Sequence, residues 1–274
     1  MRLSKFDLPT PALLVDVESL DLNIQKMQAA AARAGKRLRP HAKAHKCAEI
    51  ARRQAAAGAV GVCAATIAEM DLMSSAGLSV LLTAPVASRI KTDRVAALAR
   101  SNSGIRIVVD HPGQILMYQD SAAAAGITLN VLVDLDVGDH RTGIPCDDRA
   151  IALSHQVASS PNLQFAGLQA YSVSGSHTEG WEARRLHSMN ALAPAIQIRT
   201  RLLELGLDAQ TLTGGSTGTW DIDTAIPEFT ELQAGSYVLM DLAYRRIGGA
   251  DFAPAMTVLA TVISCSHDDR VTAP

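Results

Sequence analysis

The feature that most constrains the fold is an alternation of short, β-branched runs with longer, alanine-rich amphipathic stretches along this chain of 274 residues. The short runs predict eight strands, at residues 37–43, 59–64, 79–83, 105–110, 128–137, 164–171, 210–213 and 231–238. The stretches between them predict helices, among them residues 48–57, 67–76, 89–100 and 182–205. Because two parallel strands need a connection of about helix length, the alternation predicts a parallel sheet.

The strand sequences favour a (β/α)8 TIM barrel over an open, doubly wound sheet. The runs IRIVVD (105–110) and NVLVDLDV (130–137) are apolar without regular alternation, as in strands that are buried on both faces. An open nucleotide-binding sheet normally carries a glycine fingerprint after its first strand, and RLRPHAKAHK (37–46) contains no glycine. Eight strand–helix units therefore predict an α/β fold of the barrel type.

Two segments fall outside the barrel pattern. Residues 10–16 (TPALLVD) and 256–264 (MTVLATVIS) are strand-like, and the second is followed by the turn-like SHDDR. They predict strands of a second, β-type module of which little is present. We therefore divide the chain into residues 1–17, a strand that joins the β domain, residues 18–248, the barrel, and residues 249–274, the start of an incomplete β domain.

Composition excludes several classes of protein. There are 25 Lys and Arg against 27 Asp and Glu, whereas a nucleic-acid binder needs a surplus of cations to neutralise phosphates. The four cysteines form no CxxC pair, which argues against a short-spaced zinc site and a disulfide framework. No signal peptide and no apolar run of membrane-spanning length is visible. These features predict a cytoplasmic protein with neither nucleic-acid nor membrane partners.

A basic run, Arg39 to Lys46 (RPHAKAHK), follows the first predicted barrel strand. Catalytic groups of barrels lie at the carboxyl ends of the strands. Cations this close favour the neutral form of the most buried amine, and a neutral lysine is the form that attacks carbonyl groups. The alternative interpretation is a solvated basic turn.

Two further loops carry polar residues at the same predicted end of the barrel. The loop TGGSTGT (213–219) follows the seventh strand, where barrels commonly bind phosphate, although a flexible turn would have a similar sequence. The loop DVGDHRTG (136–143) follows the fifth strand and offers an arginine that could fix an anionic oxygen, or simply caps the next helix. A lysine, a phosphate cradle and an arginine together indicate pyridoxal 5′-phosphate (PLP).

These residues carry a resemblance to a known family. The stretches DLPTPALLVD, RPHAKAHKCAEIA, VDLDVGDHRTGI, FAGLQAYS, TGGSTGT and TELQAGSYVLMD occur in family order across most of the chain. They resemble the D-threonine aldolase and D-serine dehydratase-like PLP enzymes, whose barrel is of the alanine racemase N-terminal type. The stretches RPHAKAHKCAEIA, FAGLQAY and TGGSTGT favour the aldolase branch.

The resemblance implies roles for individual residues. Lys43, rather than Lys46, would form the Schiff base with PLP, and Arg141 would lie beside the ring hydroxyl of the cofactor. Tyr171 is placed with these two among the catalytic residues, and Tyr237 would contact PLP from the eighth strand. The phosphate would be held by Gly214, Gly215, Ser216, Thr217 and Gly218.

The resemblance also implies an activity. The expected reaction is cleavage of D-β-hydroxy amino acids, with D-threonine giving glycine and acetaldehyde, in a cytoplasmic homodimer once the β domain is complete. Family members use a divalent metal whose ligands lie in the remainder of the β domain, so no residue of this chain inherits the metal role and its activity as it stands is left open. The alternatives are a dehydratase of D-serine or D-3-hydroxyaspartate and a non-catalytic PLP-binding barrel.

Overall fold

The computed structural model describes residues 4–247 and 251–273. The strands are β1 Ala12–Val15, β2 Arg37–Leu38, β3 Val62–Ala64, β4 Val80–Leu82, β5 Ile105–Val109, β6 Leu129–Asp136, β7 Ile144–Pro145, β8 Leu163–Ala170, β9 Leu212–Gly214, β10 Glu231–Leu232, β11 Met256–Leu259, β12 Ser264–His267 and β13 Arg270–Thr272. The helices are α1 Val17–Arg33, α2 Ala48–Ala56, α3 Ile67–Ser75, α4 Arg89–Ser101, α5 Pro112–Ala125, α6 Asp148–Ala158, α7 Trp181–Glu204, α8 Trp220–Asp223 and α9 Leu242–Arg246.

Eight parallel strands close into a barrel. Their order around the sheet is β2, β3, β4, β5, β6, β8, β9 and β10, and β10 pairs with β2. Between β2 and β3 the contact is a parallel bridge at His41 and Cys63, supported by a 2.8 Å hydrogen bond from the Cys63 amide to the Pro40 carbonyl. The predicted (β/α)8 barrel and its eight strands are thus confirmed, with the helices on the outside.

Both faces of the barrel strands carry apolar side chains that are buried. The main core lies between strands and helices and includes Val131, Val133 and Leu135 of β6. The opposite face of the same strands fills the barrel interior with a smaller layer: Cys63, Leu81, Val108 and Leu132. Alternate residues of one strand therefore face two different apolar environments, which is why the sequence shows runs without alternation.

The two predicted strands that differ most in length from the structure both end beside the cavity at the barrel mouth. The run 37–43 is a strand only at Arg37–Leu38, because Pro40 has no amide hydrogen for a ladder and the chain coils into a short 3-10 helix, Ala42–Ala44. The run 231–238 is a strand only at Glu231–Leu232 and ends in a second short 3-10 helix, Ser236–Val238. The short strand β7, which pairs with β6, was not predicted.

The terminal strands form two small sheets outside the barrel. β1 pairs antiparallel with β11, with Ala12 opposite Leu259, and β12 pairs with β13. The prediction of one strand over 256–264 was wrong, because the ladder with β1 stops at Pro11, which has no amide hydrogen to donate. The proposed division of the chain stays a prediction, and its boundary at 248/249 lies outside the described residues, as do residues 1–3 and Pro274.

No helix within the described ranges combines the length and apolar character needed to cross a membrane.

Candidate active site

Two adjoining cavities open where the carboxyl ends of the barrel strands converge. The larger lobe has a volume of about 210 Å³ and the smaller lobe one of about 60 Å³. Four residues line both lobes: His41, Lys43, Tyr171 and Gln233. The larger lobe is completed by Ala65, Thr83, Ala84, Arg141, Thr142 and Gln169. The smaller lobe is completed by Ala44, Gly215, Ser216, Thr217, Gly235, Ser236 and Tyr244.

Lys43 is brought to this cavity by the short 3-10 helix after β2. The His41 ring caps that helix, since its Nδ1 accepts a 3.4 Å hydrogen bond from the Lys43 amide. The Lys43 Nζ lies 5.4 Å from the centre of the Tyr171 ring. Partial burial of the ammonium, followed by the nearby Arg141 guanidinium, lowers the pKa of Lys43 below its ordinary value. A larger fraction of neutral amine is therefore present near neutral pH.

Lys46, three residues further on, has a different environment. Its Nζ pairs with Glu69 Oε1 at 2.6 Å, and its side chain lines neither lobe. The two lysines that the sequence offers are thus distinguished by what surrounds them: Lys43 lines both lobes, whereas Lys46 pairs with Glu69.

Arg141 reaches the larger lobe from a loop that is tightly folded at its base. The carboxylate of Asp136 accepts hydrogen bonds from the amides of Gly138 and His140 and from the His140 ring. The guanidinium carbon of Arg141 lies 5.4 Å from the Tyr171 ring centre, so this ring contacts both cations. Neither Lys43 nor Arg141 forms an ion pair with any described carboxylate, which leaves positive charge available to an anionic ligand.

The smaller lobe is bounded by backbone from two loops. Gly215, Ser216 and Thr217 follow β9, whereas Gly235 and Ser236 follow β10. The Ser216 hydroxyl accepts a 3.0 Å hydrogen bond from the Gly218 amide, which folds the loop back on itself. The amides of Thr217, Gly235 and Ser236 donate to no atom in the described part of the chain. Free amides and hydroxyls around a small cavity are suited to a phosphate group.

Two of the predicted phosphate residues serve packing instead of lining the lobe. A β-carbon on Gly214 would lie 1.8 Å from the Ala170 carbonyl oxygen, and one on Gly218 would lie 2.1 Å from that of Ser176. Glycine is therefore required at both positions by close backbone contacts. The loop is followed by α8, which is only a single helical turn.

Tyr237 does not line either lobe. Its ring is fully buried, and its hydroxyl accepts a 3.0 Å hydrogen bond from Gln54 Nε2 in the core. It supports the phosphate loop only through its amide, which donates to the Thr217 hydroxyl at 2.9 Å. The tyrosine that does line the smaller lobe is Tyr244, on α9.

Several lining residues were missed from the sequence. Gln169 and Gln233 lie within FAGLQAYS and TELQAGSY, where each is a polar residue in a barrel strand or directly after one. Their amides meet inside the barrel, with Gln233 Nε2 3.2 Å from Gln169 Oε1. A polar side chain that interrupts a buried strand is the signal that would have indicated them.

Residues 4–247 and 251–273 contain no cluster of three or more His, Cys, Asp or Glu side chains arranged to hold a metal ion.

Comparison with known proteins agrees with this architecture. Residues 15–242 match the family model described as alanine racemase, N-terminal domain. The chain is 38% identical over 266 residues to a D-threonine aldolase of Arthrobacter sp., a match that covers 96% of this chain and 70% of the relative. It is 32% identical over 247 residues to a 3-hydroxy-D-aspartate aldolase of Paracoccus denitrificans (strain Pd 1222), covering 89% of this chain and 64% of that protein.

A solved structure is similar over the same region. The crystal structure of D-threonine aldolase from Filomicrobium marinum superposes with a TM-score of 0.92 at 37% sequence identity, covering 95% of this chain and 71% of that one. The match to the family model spans all eight barrel strands, including the strand ends that carry Lys43, Arg141 and the loop after β9. The chain therefore belongs to the alanine racemase N-terminal domain family.

Proposed function

We propose that this chain is a PLP-dependent lyase that cleaves D-configured β-hydroxy amino acids, with D-threonine giving glycine and acetaldehyde. The observation that carries the proposal is the pair of adjoining lobes lined by Lys43, whose pKa is lowered, with Arg141, which forms no ion pair among the described residues, in one lobe and free amides in the other. The aldolase relatives, which are 38% and 32% identical to this chain over the aligned residues, support the reaction class.

The residues of the cavity fit PLP. Lys43 would hold the aldehyde carbon, and Arg141 would face the oxygen of the ring hydroxyl from the larger lobe. The backbone of residues 215–217, with the amides of Gly235 and Ser236, would hold the phosphate in the smaller lobe. When bound, PLP supplies an electron-accepting ring for the electron pair left at the substrate α-carbon.

The chain's own side chains prepare that chemistry. Burial, together with the cations Lys43 and Arg141, lowers the pKa of His41 well below its usual range, so this ring stays neutral. A neutral His41 accepts from the Lys43 amide through Nδ1 and, through Nε2, donates to the Thr83 hydroxyl 3.1 Å away. This arrangement fixes the turn that carries Lys43 without adding another positive charge.

Tyr171 completes the reaction space. Its side chain lines both lobes, and its ring centre lies 5.4 Å from both the Lys43 Nζ and the Arg141 guanidinium carbon. We assign its ring the role of contacting both cations and of filling the part of the cavity that they border.

The described residues offer no cluster of ligands for the divalent metal that the resemblance implies. The homodimer and the cytoplasmic location stay predictions.

A product assay tests the proposal. Protein reconstituted with PLP is incubated with D-threonine, and acetaldehyde, glycine, 2-oxobutyrate and ammonia are measured, with L-threonine and the Lys43→Ala variant as controls. We expect equal amounts of glycine and acetaldehyde, from the D-enantiomer only, and none from the variant. Release of 2-oxobutyrate and ammonia would instead support the dehydratase, and PLP binding with no turnover would support the non-catalytic barrel.

A further inference from the structure

A carboxylate lies inside the barrel directly below the larger lobe. Asp134, on β6, is 3% exposed. It stands two residues beyond Leu132 on the strand face that points into the barrel, where Leu132 belongs to the apolar interior layer. Burying an acid next to such a layer is costly unless its oxygens are hydrogen-bonded.

Both oxygens of Asp134 are used by residues that line the larger lobe. Oδ1 accepts a 2.8 Å hydrogen bond from Gln169 Nε2, and Oδ2 accepts a 2.9 Å bond from the Thr142 hydroxyl. Thr142 directly follows Arg141. Asp134 therefore ties one wall of the cavity, at Gln169, to the loop that carries the arginine.

Other hydrogen bonds hold that loop at other points, and one of them also uses a side chain of the loop: the Asp139 carboxylate accepts from the amides of Val173 and Ser174. Asp110 Oδ2 accepts from the Gly143 amide at 3.0 Å, and Asp136 holds the amides of Gly138 and His140. The hydrogen bond from the Thr142 hydroxyl to Asp134 differs from these, because it links the residue next to Arg141 to a side chain inside the barrel. Without the bond between Thr142 and Asp134, the backbone would still be held at the amides of His140 and Gly143, but the segment between them, which carries Arg141, could rotate.

We propose that Asp134 is a positioning residue, which holds Arg141 in the larger lobe by accepting the Thr142 hydroxyl and which aligns Gln169 through its other oxygen. The inference rests on the proposed function, because Arg141 needs a fixed position only if an anionic oxygen of PLP or substrate is held there. Burial raises the pKa of Asp134 to about 7, while the bonds from Gln169 and Thr142 act in the opposite direction. The group acts as an acceptor toward both partners when it is ionised.

The test compares four variants by titration of PLP followed by its absorbance. Asp134→Asn should weaken PLP binding about tenfold, because it removes a charge-assisted hydrogen bond. Thr142→Val should weaken it in the same direction, and Thr142→Ser, which keeps the hydroxyl, should restore binding to within about twofold. Asp120→Asn, at a surface carboxylate paired with Arg89, is the matched control for loss of a charge and should not change the affinity.

The decisive comparison uses a background without the arginine. In Arg141→Ala protein, we expect Asp134→Asn to have almost no further effect on PLP affinity, because the residue acts through Arg141. Equal effects of Asp134→Asn with and without Arg141, or wild-type affinity of both Asp134→Asn and Thr142→Val, would overturn the inference. If Asp134→Asn does not fold, Thr142→Val in the two backgrounds gives the same test at an exposed residue. Failure of the wild-type protein to bind PLP would instead overturn the proposed function, so the two failures are distinguishable.

Discussion

Two cations, Arg39 and Lys43, lie four residues apart on the same segment of the chain, and they differ in burial and in whether the protein supplies a counter-charge. Arg39, inside the barrel, is 3% exposed and pairs with Glu231, itself 1% exposed, through an Nε–Oε1 contact of 2.9 Å. Lys43 lies at the barrel mouth with Arg141, and neither is paired with a described carboxylate. A buried cation whose partner belongs to the protein maintains the fold, whereas a cation without one is available for a ligand.

The acid of the interior pair has a correspondingly shifted pKa. Burial alone would raise the pKa of Glu231, but Arg39, with further help from Arg37 and Arg106, outweighs burial and holds it below the usual value. At the mouth, burial and Arg141 act together and lower the pKa of Lys43. The interior pair is charged and satisfied, while the mouth holds an amine that becomes neutral more readily.

The largest effect is expected at the mouth. Lys43→Ala should lower aldolase turnover by about 10³-fold or more, because it removes the nucleophile of the cavity. Its free energy of unfolding, measured by urea titration of the protein without PLP, should stay within about 0.5 kcal/mol of wild type. Lys46→Ala is the matched control and should keep turnover within several-fold. A Lys43→Ala protein that unfolds easily would show that this lysine, like Arg39, has a structural role.

The interior pair should show the opposite pattern. Glu231→Gln leaves the Arg39 guanidinium buried without a counter-charge, and we expect a loss of about 3–5 kcal/mol in the free energy of unfolding. The control is Glu182→Gln at the exposed pair with Arg185, which should cost no more than about 1 kcal/mol. Equal stability of the two variants would contradict the contrast between interior and mouth.

A buried acid without a cation sharpens the comparison. Asp223, below the smaller lobe, accepts hydrogen bonds from the Ser188 and Thr219 hydroxyls and from no other described residue, and burial raises its pKa to about 6. Because its folded pKa is above its ordinary value of 3.8, the folded state binds more protons between pH 4 and 6, and stability falls as pH rises through this window.

Asp223→Asn should remove that dependence. Relative to wild type, the variant should gain up to about 3 kcal/mol of unfolding free energy between pH 4 and pH 7, measured by urea titration at several pH values. A constant difference between the two proteins over this range would show that Asp223 does not titrate as its surroundings indicate.

The smallest effect is expected at Tyr171. Its ring contacts both cations of the mouth, so Tyr171→Ala should weaken PLP binding by about fivefold, or about 1 kcal/mol. Tyr171→Phe keeps the ring and should bind PLP within about twofold of wild type. Equal losses of affinity in the two variants would assign the effect to the hydroxyl group and not to the ring.

The same contrast explains how much could be predicted from the sequence. The barrel could be predicted from the order of strands and helices, because consecutive parallel strands joined by helices can be arranged in only a few topologies. Lys43 and Arg141 were predicted to meet because each follows a barrel strand. Tyr237 was predicted to face the cavity, but the chain after β10 coils into a 3-10 helix, which turns this ring into the core and leaves Tyr244 at the lobe. Contacts such as Asp134 with Thr142 depend on how a loop folds back over its own strand, which no local pattern encodes.

The central claim is that Lys43 is the residue that PLP engages. Wild-type protein saturated with PLP is reduced with borohydride, which fixes the cofactor on the lysine it has joined, and the modified peptide is identified by mass spectrometry. The account predicts a visible absorbance band before reduction, and the added mass on Lys43 alone, absent from Lys43→Ala and present in Lys46→Ala. Mass added to Lys46, or the absence of any band in the wild-type protein, would contradict it.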